Sequence, residues 1–212
     1  MAVDSSGNVY IADPYDSVIR RVDAQSRIIS SVAGNYVACT TPTSPCGDNG
    51  SATSANLYFR FGVAVDASGN IFIADTGDNR VRRVDAKSGI ITAAVFNGQY
   101  NISGDGGPAL DASMALPLSV AVDSADNIFI SGGYDFTFGL GAGIELVQKV
   151  DAATQIVSTA AGQYKNPLNF GFTGDGGLAT NATLNNVGIA VDSAGNLYIA
   201  DAGNDRVRKV GP

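Results

Sequence analysis

Ala64-Val65-Asp66-Ala67-Ser68-Gly69-Asn70-Ile71-Phe72-Ile73-Ala74-Asp75 decides the fold, because the chain contains four versions of it. Ala2–Asp13 reads AVDSSGNVYIAD, Ala121–Gly132 reads AVDSADNIFISG, and Ala190–Asp201 reads AVDSAGNLYIAD. The anchoring aspartates Asp4, Asp66, Asp123 and Asp192 stand 62, 57 and 69 positions apart. Self-similarity at such a period means a stack of supersecondary units, none of which buries its apolar face alone. Working outward, Ala-Val-Asp closes a first strand, a. Ser-Gly-Asn supplies residues that tolerate positive φ, and so a tight turn. Ile71–Ala74, strand b, is apolar on both faces, as expected of a strand sandwiched between layers. Strand c, Arg80–Asp85, mixes β-branched residues with arginine, and strand d, Gly89–Val95, is again apolar.

Four antiparallel strands per repeat, packed face to face on the next repeat, describe propeller blades. A parallel β-helix needs shorter rungs, and a sandwich does not repeat its sequence. The expected fold is therefore all-β: a propeller of about four four-stranded blades at approximately 1–34, 62–98, 119–162 and 188–212. These form one domain over 1–212, or a fragment of a propeller. The last repeat stops at Val210-Gly211-Pro212, after strand c, so its blade is expected to lack the outer strand and to leave an open edge. Either flanking blades are missing or another copy covers that edge. Met1-Ala2-Val3-Asp4 lies inside a repeat, so no signal peptide is present in this stretch.

The pattern Asp-x-x-Gly-Asn-[Leu/Val/Ile]-[Tyr/Phe]-Ile-Ala-Asp, followed by Asn-x-Arg-[Val/Ile]-Arg-[Arg/Lys]-Val, resembles the NHL repeat family of β-propellers. Gly104-Asp105-Gly106-Gly107-Pro108-Ala109 and Gly174-Asp175-Gly176-Gly177-Leu178-Ala179 resemble the linkers of bacterial extracellular NHL arrays, and Gly47-Asp48-Asn49-Gly50-Ser51-Ala52 is a looser copy. The resemblance spans nearly the whole chain. It implies a scaffold fold and does not by itself specify an activity. Propellers of this kind include lactonases and lyases. Those that use histidine cannot be matched, because the chain has none, and gluconolactonase-like metal sites need a glutamate, for which only Glu145 is available.

Three groups of residues are candidates for a site. The third repeat breaks the pattern: Asp123 to Asp151 is 28 positions against 19 from Asp66 to Asp85, nine more. The extra residues fall between strands b and c. They place Tyr134, Asp135, Phe136 and Phe138 in a glycine-rich loop, where aromatic side chains suit a sugar ring or a partner's pocket. The competing reading is a hairpin extension packed on its own blade. Asp48, Asp105 and Asp175 sit in glycine-rich turns and are the nearest approach to a calcium site. They lack EF-hand spacing, and turn capping accounts for them, so no metal or other cofactor is expected. Asp13, Asp75 and Asp201 end strand b and could form a ring lining a ligand cup on one face; the competing reading, which is the one expected, is a hydrogen-bonded turn with pairing to Arg20, Arg82 or Arg208. Cys39 and Cys46, seven positions apart in one loop, are expected to form a local disulfide in an oxidising compartment.

The net charge of −7 argues against nucleic acid as a partner and gives no attraction to anionic membranes. No apolar run reaches the length of a membrane span. The function expected is a non-catalytic extracellular or cell-envelope binding module with a protein or glycan partner. Self-assembly of homo-oligomers through the open blade edge is the first alternative. A metal-dependent lactonase-like or lyase-like enzyme is the second.

Overall fold

A computed structural model describes residues 1–39, 46–58, 61–133, 145–163, 173–185 and 187–212. Among the described residues, fifteen strands form four sheets. Blade 1 comprises β1 (Ala2–Val3), β2 (Val9–Asp13), β3 (Val18–Val22) and β4 (Ile29–Ala33). Blade 2 comprises β5 (Phe61–Val65), β6 (Ile71–Asp75), β7 (Arg80–Val84) and β8 (Ile91–Val95). Blade 3 comprises β9 (Ser119–Val122), β10 (Ile128–Gly132), β11 (Leu146–Val150) and β12 (Val157–Ala161). Blade 4 has three strands, β13 (Val187–Val191), β14 (Leu197–Asp201) and β15 (Arg206–Val210). All pairings are antiparallel and follow chain order. The expected all-β propeller with an incomplete last blade is the fold observed.

The Asp-x-x-Gly-Asn signature acts through its side chains. Asp66 Oδ1 accepts from the backbone N–H of Ser68 and of Asn70, and its Oδ2 accepts from Asn70 Nδ2 at 2.7 Å. Asn70 Oδ1 in turn accepts from the backbone N–H of Ala86 at 3.0 Å, tying the a–b turn to the c–d turn. Asp4, Asn8 and Ala24 repeat this arrangement in blade 1, and Asp123, Asn127 and Ala152 repeat it in blade 3. The turn requires a left-handed residue. Gly69 takes it at φ +84°, and Asp126 stands there in blade 3 at φ +63°, a residue type that tolerates the region.

The core lies between blades. One cluster joins blades 1 and 2 through Tyr10, Ile19, Leu57, Val63 and Ile73. A second joins blades 2 and 3 through Phe72, Val81, Phe96, Met114 and Ile130. A third joins blades 3 and 4 through Phe129, Val147, Leu184, Val187 and Ile199. Both faces of β6 and β10 are consequently buried along their whole length. β14 alternates buried and exposed residues, because one face of blade 4 is uncovered. The same strand-b sequence thus meets two environments, according to the number of neighbouring blades.

Close approach of the inner strands is set at Gly62. A Cβ there would lie 2.8 Å from Leu118 O and 2.8 Å from Ser119 Cα of the next blade. The linkers that enter blades 2 and 3 also pair with strand d of those blades. Ile91 N–H donates to Gly50 O and Asn49 N–H to Ile91 O; in blade 3, Val157 N–H donates to Gly107 O and Gly106 N–H to Val157 O. Strand d of blades 2 and 3 is therefore held on both edges, by strand c and by the preceding linker.

Candidate functional site

Among the described residues, Arg82 is the most completely buried cation, 1% exposed. Alternation along β7 turns it towards the linker that enters blade 2. Its Nε and Nη2 donate to Asp48 Oδ1 at 2.9 and 2.6 Å, and its Nη1 donates to Asn56 O at 3.0 Å. Asp75 Oδ2, at the end of β6, lies 3.5 Å from the same Nη1, and Cys46 O accepts from Nη2. One guanidinium thus joins strands b and c to the linker. Blade 4 repeats the clamp: Arg208 reaches Asp175 at 2.6 Å, Asp201 at 3.4 Å and Thr183 O at 2.8 Å. In blade 1, Arg20 lies 3.0 Å from Asp13 and also pairs with Asp16.

Blade 3 lacks the clamp. Gly132 and Gln148 stand where blade 2 has Asp75 and Arg82. Asp105 accepts instead from Thr159 Oγ1 at 3.1 Å. The Gln148 amide is fully buried, with neither polar atom hydrogen-bonded. Asp48 and Asp175, the nearest candidates for a cation site, have guanidinium partners, so their carboxylates brace linkers to blades. Pairing of the strand-b aspartates with arginine was legible in the sequence. The linker aspartate as third member was not, because Asp48 and Arg82 are 34 positions apart.

Cys39 and Cys46 are joined in a disulfide. Beside it, the Asp78 carboxyl is buried and its Oδ1 has no hydrogen-bond partner. Ligand atoms of Cys39, Cys46 and Asp78 lie within 4.8 Å of one another, but the two sulfurs bond to each other in this state. Burial pushes Asp78 up to about 6. Burial, then the charge of Asp78, pushes Asp75 up to about 8. A carboxyl raised in the folded state keeps its proton at pH values where the unfolded chain has lost it. Its contribution is fully present below about 4 and is lost as pH rises through the folded value. Asp78→Asn is therefore expected to flatten the decline in stability between pH 5 and pH 8, by about 1–2 kcal/mol after allowance for solvent screening. Urea unfolding of both proteins at the two pH values measures this. Parallel declines would show that Asp78 does not titrate in the fold.

Glu145 is 6% exposed, and its Oε2 accepts from Val187 N–H at 2.7 Å, bridging blade 3 to the start of β13. Tyr134, Asp135, Phe136 and Phe138 lie outside the described residues. The strand order places linkers and b–c loops at one end of the blades, and the capped a–b and c–d turns at the other. The b–c loop of blade 1 and the starts of the linkers carry exposed apolar groups, Tyr15 at 100%, Tyr36 at 59%, Val37 at 54% and Tyr100 at 45%, whereas Leu110 follows Ala109, whose N–H bonds Gln155 O at the c–d turn of blade 3. The turn end is occupied by carboxylates that cap their own turns, such as Asp85, held at about 2 chiefly by the backbone N–H and hydroxyl of Ser88.

The teneurin NHL domain family matches residues 31–103, from strand d of blade 1 through blade 2 and into the next linker. With the four repeated blades, this decides the family of fold. The chain is an NHL-type β-propeller. Solved structures agree on the architecture. A structural genomics protein of unknown function from Bacteroides thetaiotaomicron VPI-5482 superposes with TM-score 0.68 at 20% identity, over 98% of this chain and 45% of that one. A nidogen/laminin complex gives TM-score 0.62 at 15% identity, over 100% of this chain and 59% of the other. A putative gluconolactonase gives 0.55 at 12% identity, over 97% and 55%. The NHL-type blades described here span about half the length of these structures. At such identities the likeness is one of fold.

Proposed function

We propose that this NHL-type propeller is a non-catalytic extracellular or cell-envelope binding module whose four blades act as one domain and engage a protein partner through the linker end. The observation that carries this reading is the exposure of Tyr15, Tyr36, Val37 and Tyr100 in the b–c loop of blade 1 and at the starts of the linkers. Aromatic side chains held on a rigid scaffold supply large contact area at low entropic cost, and such anchors dominate protein interfaces. At the turn end the exposed large apolar groups are the aliphatic Val3, Ile28 and Ile90, with Tyr198 bonding Asp192 through its hydroxyl. The Cys39–Cys46 disulfide supports an oxidising compartment. A propeller neighbour found in a nidogen/laminin complex supports protein as the partner class. The lactonase-like reading would use Glu145, whose carboxylate is occupied by Val187 N–H.

The test is an array of purified extracellular protein domains and immobilised oligosaccharides, probed with the wild type and with a Tyr15→Ser, Tyr36→Ser, Tyr100→Ser variant. Binding to a protein spot that weakens at least tenfold in the variant is the expected result. Binding confined to oligosaccharides replaces protein by glycan. Binding that the variant leaves unchanged places the interface elsewhere, and lactone turnover abolished by a chelator replaces the binding reading by the enzymatic one.

A further inference from the structure

The disulfide of the first linker and the b–c turn of blade 2 meet at one place. The Sγ atoms of Cys39 and Cys46 and a carboxyl oxygen of Asp78 all lie within 4.8 Å of one another. Cys39 is 0% exposed and Asp78 is 1% exposed. Asp78 Oδ1 is buried with no hydrogen-bond partner among the described residues. An orphaned polar atom is rare in a native interior, and it marks a place where a water, an ion or a second redox state supplies the partner. Its neighbours here are two sulfurs. Two thiolates and a carboxylate make up a donor set suited to a borderline-soft divalent cation.

The segments that carry these groups are held by the scaffold and not by the S–S bond alone. Asp78 ends a short 3-10 turn, Thr76–Asp78. On one side of it, Gly77 N–H donates to Tyr58 O at 2.8 Å. On the other, Asn79 Nδ2 donates to Gly98 O and Asn79 Oδ1 accepts from Leu116 N–H. Cys46 O accepts from Arg82 Nη2 at 3.2 Å and from Asn56 N–H at 3.1 Å. Placement of this kind pre-organises ligands, because the chain has little order left to gain when a cation arrives.

We infer that Cys39, Cys46 and Asp78 form a redox-gated site for a thiophilic divalent cation of the zinc class, closed while the two sulfurs are bonded to each other and opened by a thiol reductant. A dithiol gives two electrons and two protons to the S–S bond, leaves two cysteine thiols behind and departs as its own disulfide. The cation then displaces the two thiol protons and binds two thiolates and the Asp78 carboxylate. Three protein ligands leave the fourth tetrahedral position to water. Two protons are exchanged for two positive charges, so the balance among Arg80, Arg82, Asp48 and Asp75, the charged groups that act on this cluster, is undisturbed. The cation also gives Asp78 Oδ1 the partner it lacks. This site does not rest on the binding function proposed above.

The experiment uses the 212-residue protein in its disulfide form and after reduction by a phosphine that is then removed without air. Each form is titrated with Zn²⁺ against a chromophoric chelator, and with Co²⁺ as a spectroscopic probe. The reduced protein is expected to take up one Zn²⁺ per chain and to show thiolate-to-cobalt charge-transfer absorption. The disulfide form is expected to bind at least a hundredfold more weakly and to lack that absorption. Asp78→Ala is expected to weaken Zn²⁺ binding by the reduced protein at least tenfold, with circular dichroism showing the blades intact. Cys46→Ser, which removes a different ligand, is expected to do the same and to diminish the charge-transfer absorption. No uptake by the reduced protein overturns the proposal, as does equal uptake by the two forms or loss of the blade fold on reduction. Full affinity in Asp78→Ala also overturns it, in favour of a chelate made by the two cysteines alone.

Discussion

Arg82→Met is expected to destabilise the protein by about 3–5 kcal/mol, the cost of leaving a buried carboxylate without its counter-charge. The side chain is 1% exposed and is the meeting point of Asp48, Asp75, Asn56 O and Cys46 O. Its loss strands the Asp48 carboxylate, which is 4% exposed, and takes a donor from Asp75, which is 0% exposed and keeps its proton at pH 7. It also frees the incoming linker from β7. Arg20→Met in blade 1 is the control. Arg20 is 29% exposed and its pairs face solvent, so the expected loss is below about 1 kcal/mol. Urea unfolding at pH 7 separates the two. Adding Asp48→Asn to Arg82→Met is expected to restore part of the loss by removing one stranded charge. Equal effects of Arg82→Met and Arg20→Met would show that the clamp adds nothing beyond a surface ion pair.

Gly62→Ala is expected to cost about 2–4 kcal/mol, near or above the usual range for overpacking a well-packed site. The added Cβ would meet backbone on three sides, at Leu118 O, Ser119 Cα and Val120 N, all within 3.0 Å. Backbone gives way only by moving blade 3 off blade 2. Gly188 holds the corresponding place in β13, between Val187 and Ile189, and a Cβ there meets only Ala200 Cβ, at 3.9 Å. Gly188→Ala is therefore expected to change stability by less than about 0.5 kcal/mol, the range of ordinary surface substitutions. Thermal unfolding of the two variants is the measurement. A large cost at Gly188 would mean that the exposed face of blade 4 is packed against something in solution.

This pair of glycines also marks where sequence reasoning reaches its limit. Turn chemistry was legible because it is local: Asp66 and Asn70 find each other four positions apart, and the same letters recur in every blade. Strand b was legible because Ile71–Ala74 is apolar on both faces. The missing outer strand of blade 4 was legible as a gap in the repeat. The linker aspartates were read as turn caps, and in blades 2 and 4 they bond across the blade instead. Nothing near Asp48 in the sequence names Arg82 as its partner. The second role of the linkers was hidden for the same reason, since no local pattern reveals that a linker forms the second edge for strand d. Gly62 and Gly188 look alike in sequence and differ only in what packs on them.

Burial that falls from both faces in blades 2 and 3 to one face in blades 1 and 4 makes this molecule a short one-dimensional array. In such an array each unit's stability is its own plus that of its interfaces, and the end units have one interface where the inner units have two. Opening therefore proceeds inward from the rims. Amide protons of β6, β7 and β10 exchange only on global unfolding, whereas those of β13, β14 and β15 exchange through a cheaper partial opening.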